Sequence, residues 1–131
     1  MIQILPLSEV PEHCELITDW LFTSFGSENS RDFFASIVRS SLRAEGLPIT
    51  FVALQDNRPV GTVGLWRCDL ISRQDLFPWL AALYIDEGWR GQGLSVQLQR
   101  YVEDFSRRAG FKELYLYAAF ADYYERFGWQ Y

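Results

Sequence analysis

The sequence predicts a mixed α/β (α+β) fold with a twisted, mostly antiparallel sheet and one central parallel crossover. Two observations lead to this prediction: a pair of apolar segments joined by Asp-Asn-Arg-Pro at 56–59, and a strand–loop–helix–strand unit that begins at Trp79. The length of 131 residues, with 49% hydrophobic and 22% charged residues, is typical of one globular domain, here residues 1–131.

The N-terminal part predicts a strand followed by two helices. The apolar run from Ile2 to Leu7 predicts the strand, and Ser8 is an N-cap for a first helix that tolerates Pro11 in its first turn. The apolar face of this helix repeats at helical spacing and consists of Leu16, Ile17, Trp20, Leu21 and Phe25. Ser30 begins a second helix, which stops before the Gly and Pro at 46 and 48. Its apolar face consists of Phe33, Phe34, Ile37, Val38 and Leu42.

The central part predicts three strands. Ile49 to Leu54 and Val60 to Trp66 are apolar segments on either side of a turn, and they predict an antiparallel hairpin. A polar loop from Asp69 to Pro78 leads to a third segment, Trp79 to Ile85, which is apolar on both faces. That pattern is typical of a central strand.

The C-terminal part predicts the parallel crossover. An apolar stripe marks a helix that ends at Gly110, and the stripe consists of Leu94, Leu98, Val102, Phe105 and Ala109. The segment from Lys112 to Ala118 predicts the next strand, which a crossover makes the parallel neighbour of Trp79 to Ile85. A final short helix covers Ala121 to Phe127.

Composition and charge exclude several classes of protein. With 12 Lys and Arg against 17 Asp and Glu, the net charge of −5 argues against nucleic-acid binding and suits a cationic small molecule. No apolar stretch has the length needed to cross a bilayer, and the N-terminus lacks the features of a signal peptide. Cys14 and Cys68 have no metal or redox spacing, so we expect two separate buried thiols and no bound metal. These observations predict a cytoplasmic protein without nucleic-acid or membrane partners.

The loop between the central strand and its helix contains the residues that point to a ligand. Gly91 and Gly93 lead into a helix N-terminus, where backbone N–H groups and the helix dipole attract anions. Glycines let a bulky anion approach the backbone, while Arg90 adds a positive charge and Ser95 a hydroxyl. The pattern predicts a pyrophosphate site; the alternative is a tight loop whose glycines only turn the chain. The Gly-Lys-Ser/Thr of a P-loop is absent, and Val96 stands where a dinucleotide-binding fold needs its third glycine.

Two motifs resemble those of the GNAT N-acetyltransferases. The segment Arg90 to Ser95 (Arg-Gly-Gln-Gly-Leu-Ser) resembles the R-x-x-G-x-G/A motif, with Ser95 in place of Gly or Ala. The segment Tyr123 to Trp129 resembles the second signature, in which an aromatic residue, Tyr, Glu and a basic residue precede Gly and another aromatic residue. Pro78 to Ile85 looks like the fourth strand of one bacterial subgroup, and the order of the elements agrees over nearly the whole chain.

The resemblance implies that the chain uses acetyl-CoA as a cosubstrate to acetylate an amine. It implies that the loop amides bind the pyrophosphate and that the strand backbone pairs with pantetheine. The cofactor-binding residues are then Leu83, Tyr84, Ile85, Arg90, Gly91, Gln92, Gly93, Leu94 and Ser95. Tyr124 matches the family tyrosine that protonates the leaving thiolate, a role that suits a phenol. The alternative for Tyr124 is core packing, which is the role we expect for Tyr123.

The acceptor side and the general base have fewer signals. Many relatives use a Glu on the fourth strand as the base, and the segment Trp79 to Ala82 contains no carboxylate. Asp69, Asp75 and Trp79 are candidates to face the amine acceptor, although each Asp alone also fits a solvated loop. His13, the single histidine, is expected at the surface without a catalytic role.

The end of the chain bears on function and assembly. The sequence stops at Tyr131, two residues past Trp129, so we expect the closing β-hairpin of typical family members to be absent. A shortened sequence, a partner chain or an open acceptor side would each account for this, and an uncovered sheet edge would favour a homodimer. The first function that follows is an N-acetyltransferase acting on a primary amine of a small molecule or peptide. The second is a catalytically inactive GNAT-like module that binds CoA or a protein partner.

Overall fold

The computed structural model describes residues 2–26, 31–43, 46–67, 75–116 and 129. In chain order, the strands and α-helices of these ranges are β1 (Ile2–Pro6), α1 (Cys14–Phe25), α2 (Arg31–Ser40), β2 (Ile49–Gln55), β3 (Arg58–Trp66), β4 (Trp79–Ile85), α3 (Leu94–Arg108) and β5 (Tyr115–Leu116). The predicted features outside the described residues are the Ser30 cap, Cys68, the end of the last strand at Ala118 and the helix from Ala121 to Phe127.

The strands form one mixed sheet in the order β1-β2-β3-β4-β5. Strands β1 to β4 pair antiparallel with their neighbours, and β5 pairs parallel with β4 through Trp79 with Tyr115 and Leu80 with Leu116. A parallel pair needs a crossover connection, which α3 supplies. The predicted mixed sheet, hairpin and parallel crossover are therefore confirmed.

A two-residue turn joins β2 to β3. Asp56 and Asn57 have φ values of 52° and 67°, the left-handed conformation that a tight hairpin turn requires and that Asp and Asn tolerate. Because the turn has only two residues, Arg58 already pairs with the end of β2. The predicted start of this strand at Val60 was therefore two residues late.

Helices cover both faces of the sheet, so a hydrophobic core lies on each face. Side chains of β2 alternate between the two cores. Phe51 and Ala53 belong to the core that includes α3, whereas Val52 and Leu54 belong to the core that includes α1 and α2. The first core also contains Val60, Val63, Leu65, Leu80, Leu94, Leu98 and Val102. The second also contains Leu7, Ile17, Leu21, Phe34, Val38, Trp66 and Ala81.

The two N-terminal helices differ from prediction at their starts and on their faces. Helix α1 begins at Cys14, because residues 7–9 and 11–13 form two 3-10 turns, so Ser8 lies inside a turn and does not cap α1. Leu16, Phe25 and Phe33, which were predicted on apolar faces, are 39%, 51% and 58% exposed. Leu16 and Phe33 are each followed by a buried apolar residue, Ile17 and Phe34, and consecutive helical residues point about 100° apart, so Leu16 and Phe33 face away from the core. Phe25 is the last residue of α1.

Helix α3 ends in the predicted glycine cap. Gly110 has a φ of 97°, and the N–H groups of Gly110 and Phe111 donate to carbonyls in the last turn of the helix at 3.1 Å each, the typical pattern of a left-handed C-terminal cap. The predicted strand is present as β5, which begins at Tyr115, so its predicted start at Lys112 was three residues early. Ala109, predicted in the buried stripe, is exposed.

Candidate functional site

The loop between β4 and α3 passes through two glycines in left-handed backbone conformations. Gly91 and Gly93 have φ values of 78° and 81°, which residues with a Cβ adopt only with strain. Gly93 is the N-cap of α3, and no side chain caps this end of the helix. The first N–H groups of a helix have no carbonyl partner within it, so the N-terminus of α3 is suited to bind an anion.

A cleft of about 540 Å³ lies between this loop and the second half of β4. It is lined by Leu83, Tyr84, Ile85, Trp89, Arg90, Gly91, Gly93, Leu94, Ser95 and Val96. A Cβ built on Gly91 or Gly93 would meet no atom within 4 Å, so the space beside both glycines is open to a ligand. Arg90 is the one charged residue among these described lining residues. The cleft therefore combines one cation, a helix N-terminus and an apolar wall, which suits an anionic ligand with an apolar portion.

A β-bulge shapes the strand that forms the second wall of the cleft. The register with β3 shifts so that Ala82 and Leu83 together lie opposite Val63, and Ala82 takes a φ of 52°. A bulge bends its strand and redirects the side chains that follow. Before the bulge, Trp79 to Ala81 are buried, and after it, Leu83 to Ile85 are half-buried and line the cleft.

Arg90 connects the loop to this strand. Its Nε donates to the carbonyl oxygen of Ile85 at 3.0 Å, and its guanidinium carbon lies 5.6 Å from the centre of the Tyr84 ring, within the range of a cation–π contact. The Tyr84 ring in turn lies 5.0 Å from the ring of Trp20 on α1. Two residues of β4 therefore contact the charged side chain of Arg90, and Trp20 of α1 packs against one of them, Tyr84.

Ser95 connects the cleft to the next turn of α3 on the same face of the helix. Its Oγ accepts a hydrogen bond from Nε2 of Gln99 at 3.3 Å. The Oε1 atom of Gln99 accepts a hydrogen bond from Nε1 of Trp129 at 3.0 Å. Gln99 is 1% exposed, and the sequence prediction did not single it out. Its signal in the sequence is a polar residue on the buried face of an amphipathic helix, four positions after Ser95.

The structure brings together most of the predicted cofactor residues. Eight of them line the cleft: Leu83, Tyr84, Ile85, Arg90, Gly91, Gly93, Leu94 and Ser95. Gln92 is not among the lining residues; it is exposed, and its Nε2 lies 3.4 Å from the carbonyl oxygen of Gly88 as a donor. Trp89 and Val96 line the cleft and were missed. Both flank the glycine motif, so a wider window around the loop would have included them.

Of the residues predicted for the acceptor side, the structure describes Trp79 and Asp75, and neither lines this cleft. Trp79 is 3% exposed, its ring packs 5.7 Å from that of Tyr115, and its Nε1 donates to the carbonyl oxygen of Leu76 at 2.7 Å. It therefore anchors the loop that precedes β4. Asp75 is exposed on that loop. Asp69 and Tyr124 lie outside the described residues.

Other reactive groups are few in the part of the chain that the structure describes. No cluster of three or more His, Cys, Asp and Glu side chains there could hold a metal ion. None of the described helices is long and apolar enough to cross a membrane. Cys14 is a free thiol and is half-buried rather than buried as predicted. Its burial raises the pKa of the Cys14 thiol above its ordinary value, and the charges of Glu15 and Glu12 raise it further.

Comparison with known proteins identifies one family. A family model described as the acetyltransferase (GNAT) family matches residues 13–129. A search of curated proteins finds no sequence that matches the chain.

Solved structures share the fold at low sequence identity. An N-acetyltransferase related to GCN5, from Ralstonia eutropha, is 21% identical with a TM-score of 0.77, covering 99% of this chain and 93% of that one. A predicted acetyltransferase from Clostridium acetobutylicum, determined with acetyl-CoA, is 14% identical with a TM-score of 0.77, covering 99% and 90%. The aminoglycoside acetyltransferase AAC(6')-Iy, in complex with a bisubstrate analog, is 16% identical with a TM-score of 0.77, covering 100% and 92%. These likenesses confirm the predicted fold class.

Proposed function

The chain belongs to the acetyltransferase (GNAT) family, and we propose that it is an N-acetyltransferase that binds acetyl-CoA in the cleft between β4 and α3. The observation that carries this proposal is the uncapped N-terminus of α3, where Gly91 and Gly93 leave open space beside the backbone. The diphosphate of CoA is the anion that this loop would bind. The AAC(6')-Iy and Clostridium structures, which contain a CoA analog and acetyl-CoA, support the choice of ligand.

Each wall of the cleft suits a different part of the cofactor. The amides of the loop and the guanidinium of Arg90 would bind the diphosphate, since both present positive partial or full charge. The backbone of the half-buried residues Leu83 to Ile85, beyond the bulge, would run beside the pantetheine. Ser95 contributes a hydroxyl at the cleft where many family members have Gly or Ala.

The reaction that we propose joins the acetyl group to a primary amine. The nitrogen lone pair of the free amine attacks the thioester carbonyl carbon, a C–N bond forms and the C–S bond breaks. The nitrogen loses a proton and the leaving thiolate gains one, so the products are an amide and the thiol of CoA. An alkylamine with a pKa of about 10.4 is mostly protonated at neutral pH, so deprotonation must precede attack. We assign protonation of the thiolate to Tyr124 on the basis of its motif.

The acceptor that we propose is a cationic amine of a small molecule or a peptide N-terminus. The net charge of −5 attracts cations. Asp75 lies on the loop that Trp79 anchors, and Asp69 precedes it in the sequence. We infer that this acidic segment borders the acceptor. The aminoglycoside acetyltransferases among the structural neighbours make an aminoglycoside one member of the class to test.

Calorimetry and a thiol-release assay test the proposal in sequence. CoA and acetyl-CoA should both bind to the chain, and binding should raise its thermal midpoint. A panel of a polyamine, an amino acid, an aminoglycoside and a peptide should then contain at least one amine that releases CoA thiol. Absence of CoA binding would contradict the proposal. Tight binding without release for any amine would favour the second function, an inactive CoA-binding module.

The assembly and location of the chain remain predictions from its sequence. We infer a homodimer, since β5 is at the edge of the described sheet and edge strands favour pairing. Sedimentation at high protein concentration checks this, and a result of monomer alone would contradict it. Cell fractionation checks the cytoplasmic location.

A further inference from the structure

Gln99 is the centre of a hydrogen-bonded chain that runs from the cleft to the C-terminal part of the protein. It lies one helical turn after Ser95 on α3, and it is 1% exposed. Its amide contacts Ser95 Oγ at 3.3 Å on one side and the indole nitrogen of Trp129 at 3.0 Å on the other. Trp129 packs against the core beneath α3 but is not among the residues that line the cleft.

The chemistry of the indole determines which group donates and which accepts in these hydrogen bonds. An indole N–H donates a hydrogen bond and has no acceptor. The oxygen of the Gln99 amide must therefore face Trp129, which places the NH₂ group toward Ser95. The Ser95 oxygen consequently accepts a hydrogen bond from Gln99. Without Trp129, the amide could turn over, and Ser95 could donate to the Gln99 oxygen instead.

We propose that Gln99 is a positioning residue that couples Trp129 to the cofactor cleft. The indole fixes the amide, and the amide fixes the orientation of the Ser95 hydroxyl at the wall of the cleft. This inference rests on the proposed function, because CoA is the ligand whose affinity reports the coupling. It has an unexpected consequence: Trp129, which does not line the cleft, influences how tightly CoA binds.

A double-mutant cycle with CoA tests the coupling by calorimetry. Trp129→Phe removes the indole donor and keeps an aromatic ring, and Gln99→Met removes the amide at similar volume. Each should weaken CoA binding about three- to tenfold, the range expected from one neutral hydrogen bond. The double variant should bind no more weakly than Gln99→Met alone, because Trp129 acts through Gln99. A thermal midpoint is measured for every variant, so that affinities are compared among folded chains.

One control variant and two possible results decide whether Gln99 acts on CoA binding. Gln97→Met makes the same chemical change on the exposed face of α3 and should leave the affinity unchanged. A purely structural role for Gln99 would lower the thermal midpoint and leave CoA affinity as it was, which would overturn the inference. If Trp129→Phe weakened CoA binding equally in the unmodified chain and in the Gln99→Met variant, the two residues would act independently, and the inference would be overturned.

Two further results separate this inference from the proposed function and from misfolding. If the unmodified chain binds no CoA, the proposed function fails and this inference fails with it. If the unmodified chain binds and all variants bind equally well, the inference alone fails. Should Gln99→Met not fold, the pair Ser95→Ala and Trp129→Phe replaces it. Their combined effect on affinity should be smaller than the product of the single effects, and a simple product would overturn the coupling.

Discussion

The side chain of Arg90 is tied to the carbonyl oxygen of Ile85, the last residue of β4, by a donor–acceptor distance of 3.0 Å. This bond closes the loop from the strand end to the start of the glycine motif. The guanidinium also lies over the Tyr84 ring. Because Nε makes this bond, the two amino groups of the guanidinium supply its remaining donors. Arg90 therefore shapes the loop and carries the positive charge of the cleft with the same side chain.

Replacement of Arg90 should weaken CoA binding in a salt-dependent way. Arg90→Met removes the charge and the donor to Ile85, and we expect about a tenfold loss of affinity, since hydrogen bonds to charged groups are the stronger kind. The loss should be smaller at high salt, because salt screens the charge that the unmodified chain uses. Calorimetry at low and high salt measures both effects. Arg100→Met, an exposed change on the outer face of α3, is the matched control, and an equal loss there would refute a local role for Arg90.

Substitution of glycines inside and outside the cleft can separate the effect of backbone strain from the effect of blocking the ligand. Gly93→Val should abolish or strongly weaken CoA binding, because its side chain enters the open space beside the helix N-terminus and its backbone must keep a φ of 81°. Gly110→Ala suffers the same kind of strain, about 1 kcal/mol, at the far end of α3. It should lower thermal stability and leave CoA affinity unchanged. Gly88→Ala has neither strain nor a close neighbour and should change neither quantity. Unchanged affinity in Gly93→Val would exclude this loop as the binding site.

The thiol of Cys14 should react slowly at neutral pH. Burial raises its pKa, and Glu15 and Glu12 raise it further, so the reactive thiolate becomes abundant only at a higher pH than in free cysteine. A labelling rate measured against pH in a Cys68→Ser variant should rise later than that of free cysteine. Glu15→Gln should shift the rise toward lower pH. A labelling curve that coincides with that of free cysteine would contradict the prediction. Slow reaction of Cys14 would also keep the background of a thiol-release assay low.

Local sequence patterns predicted the parts of the fold that depend on local chemistry. The bounds of β4 agree with the apolar run from Trp79 to Ile85, and the cap of α3 forms at Gly110, the residue that the pattern indicated. The glycine loop was also identified, because Gly91 and Gly93 precede an amphipathic helix directly. In each case the residue type and its immediate neighbours determine the backbone conformation.

The parts that were missed depend on contacts between distant segments. The left-handed Ala82 exists because the pairing of β4 with β3 slips by one residue, and alanine gives no local signal for that conformation. The role of Gln99 depends on Trp129, thirty positions away in sequence. The exposed Phe33 differs from the buried Phe34 only by which side of α2 meets the core. Such features follow from tertiary packing, so the sequence pattern of a single segment does not predict them.

We propose that Tyr124 is the residue whose substitution distinguishes an enzyme from a binding module. Its place in the motif from Tyr123 to Trp129 suggests a phenol that protonates the departing thiolate of CoA. The neighbouring Tyr123 offers the same ring and hydroxyl one position earlier. A comparison of the two therefore separates a chemical role from a contribution that any aromatic residue would make.

Tyr124→Phe should reduce turnover at least about tenfold, since a positioned acid typically contributes ~10²–10⁴-fold and water can replace part of it. CoA affinity and thermal stability should stay close to those of the unmodified chain, because the ring is retained. Tyr123→Phe should change turnover little. Thiol release and calorimetry on the three chains measure these quantities. Equal, small effects in both variants would return Tyr124 to a packing role, whereas parallel losses of turnover and CoA affinity in Tyr124→Phe would place its hydroxyl in cofactor binding instead of proton transfer.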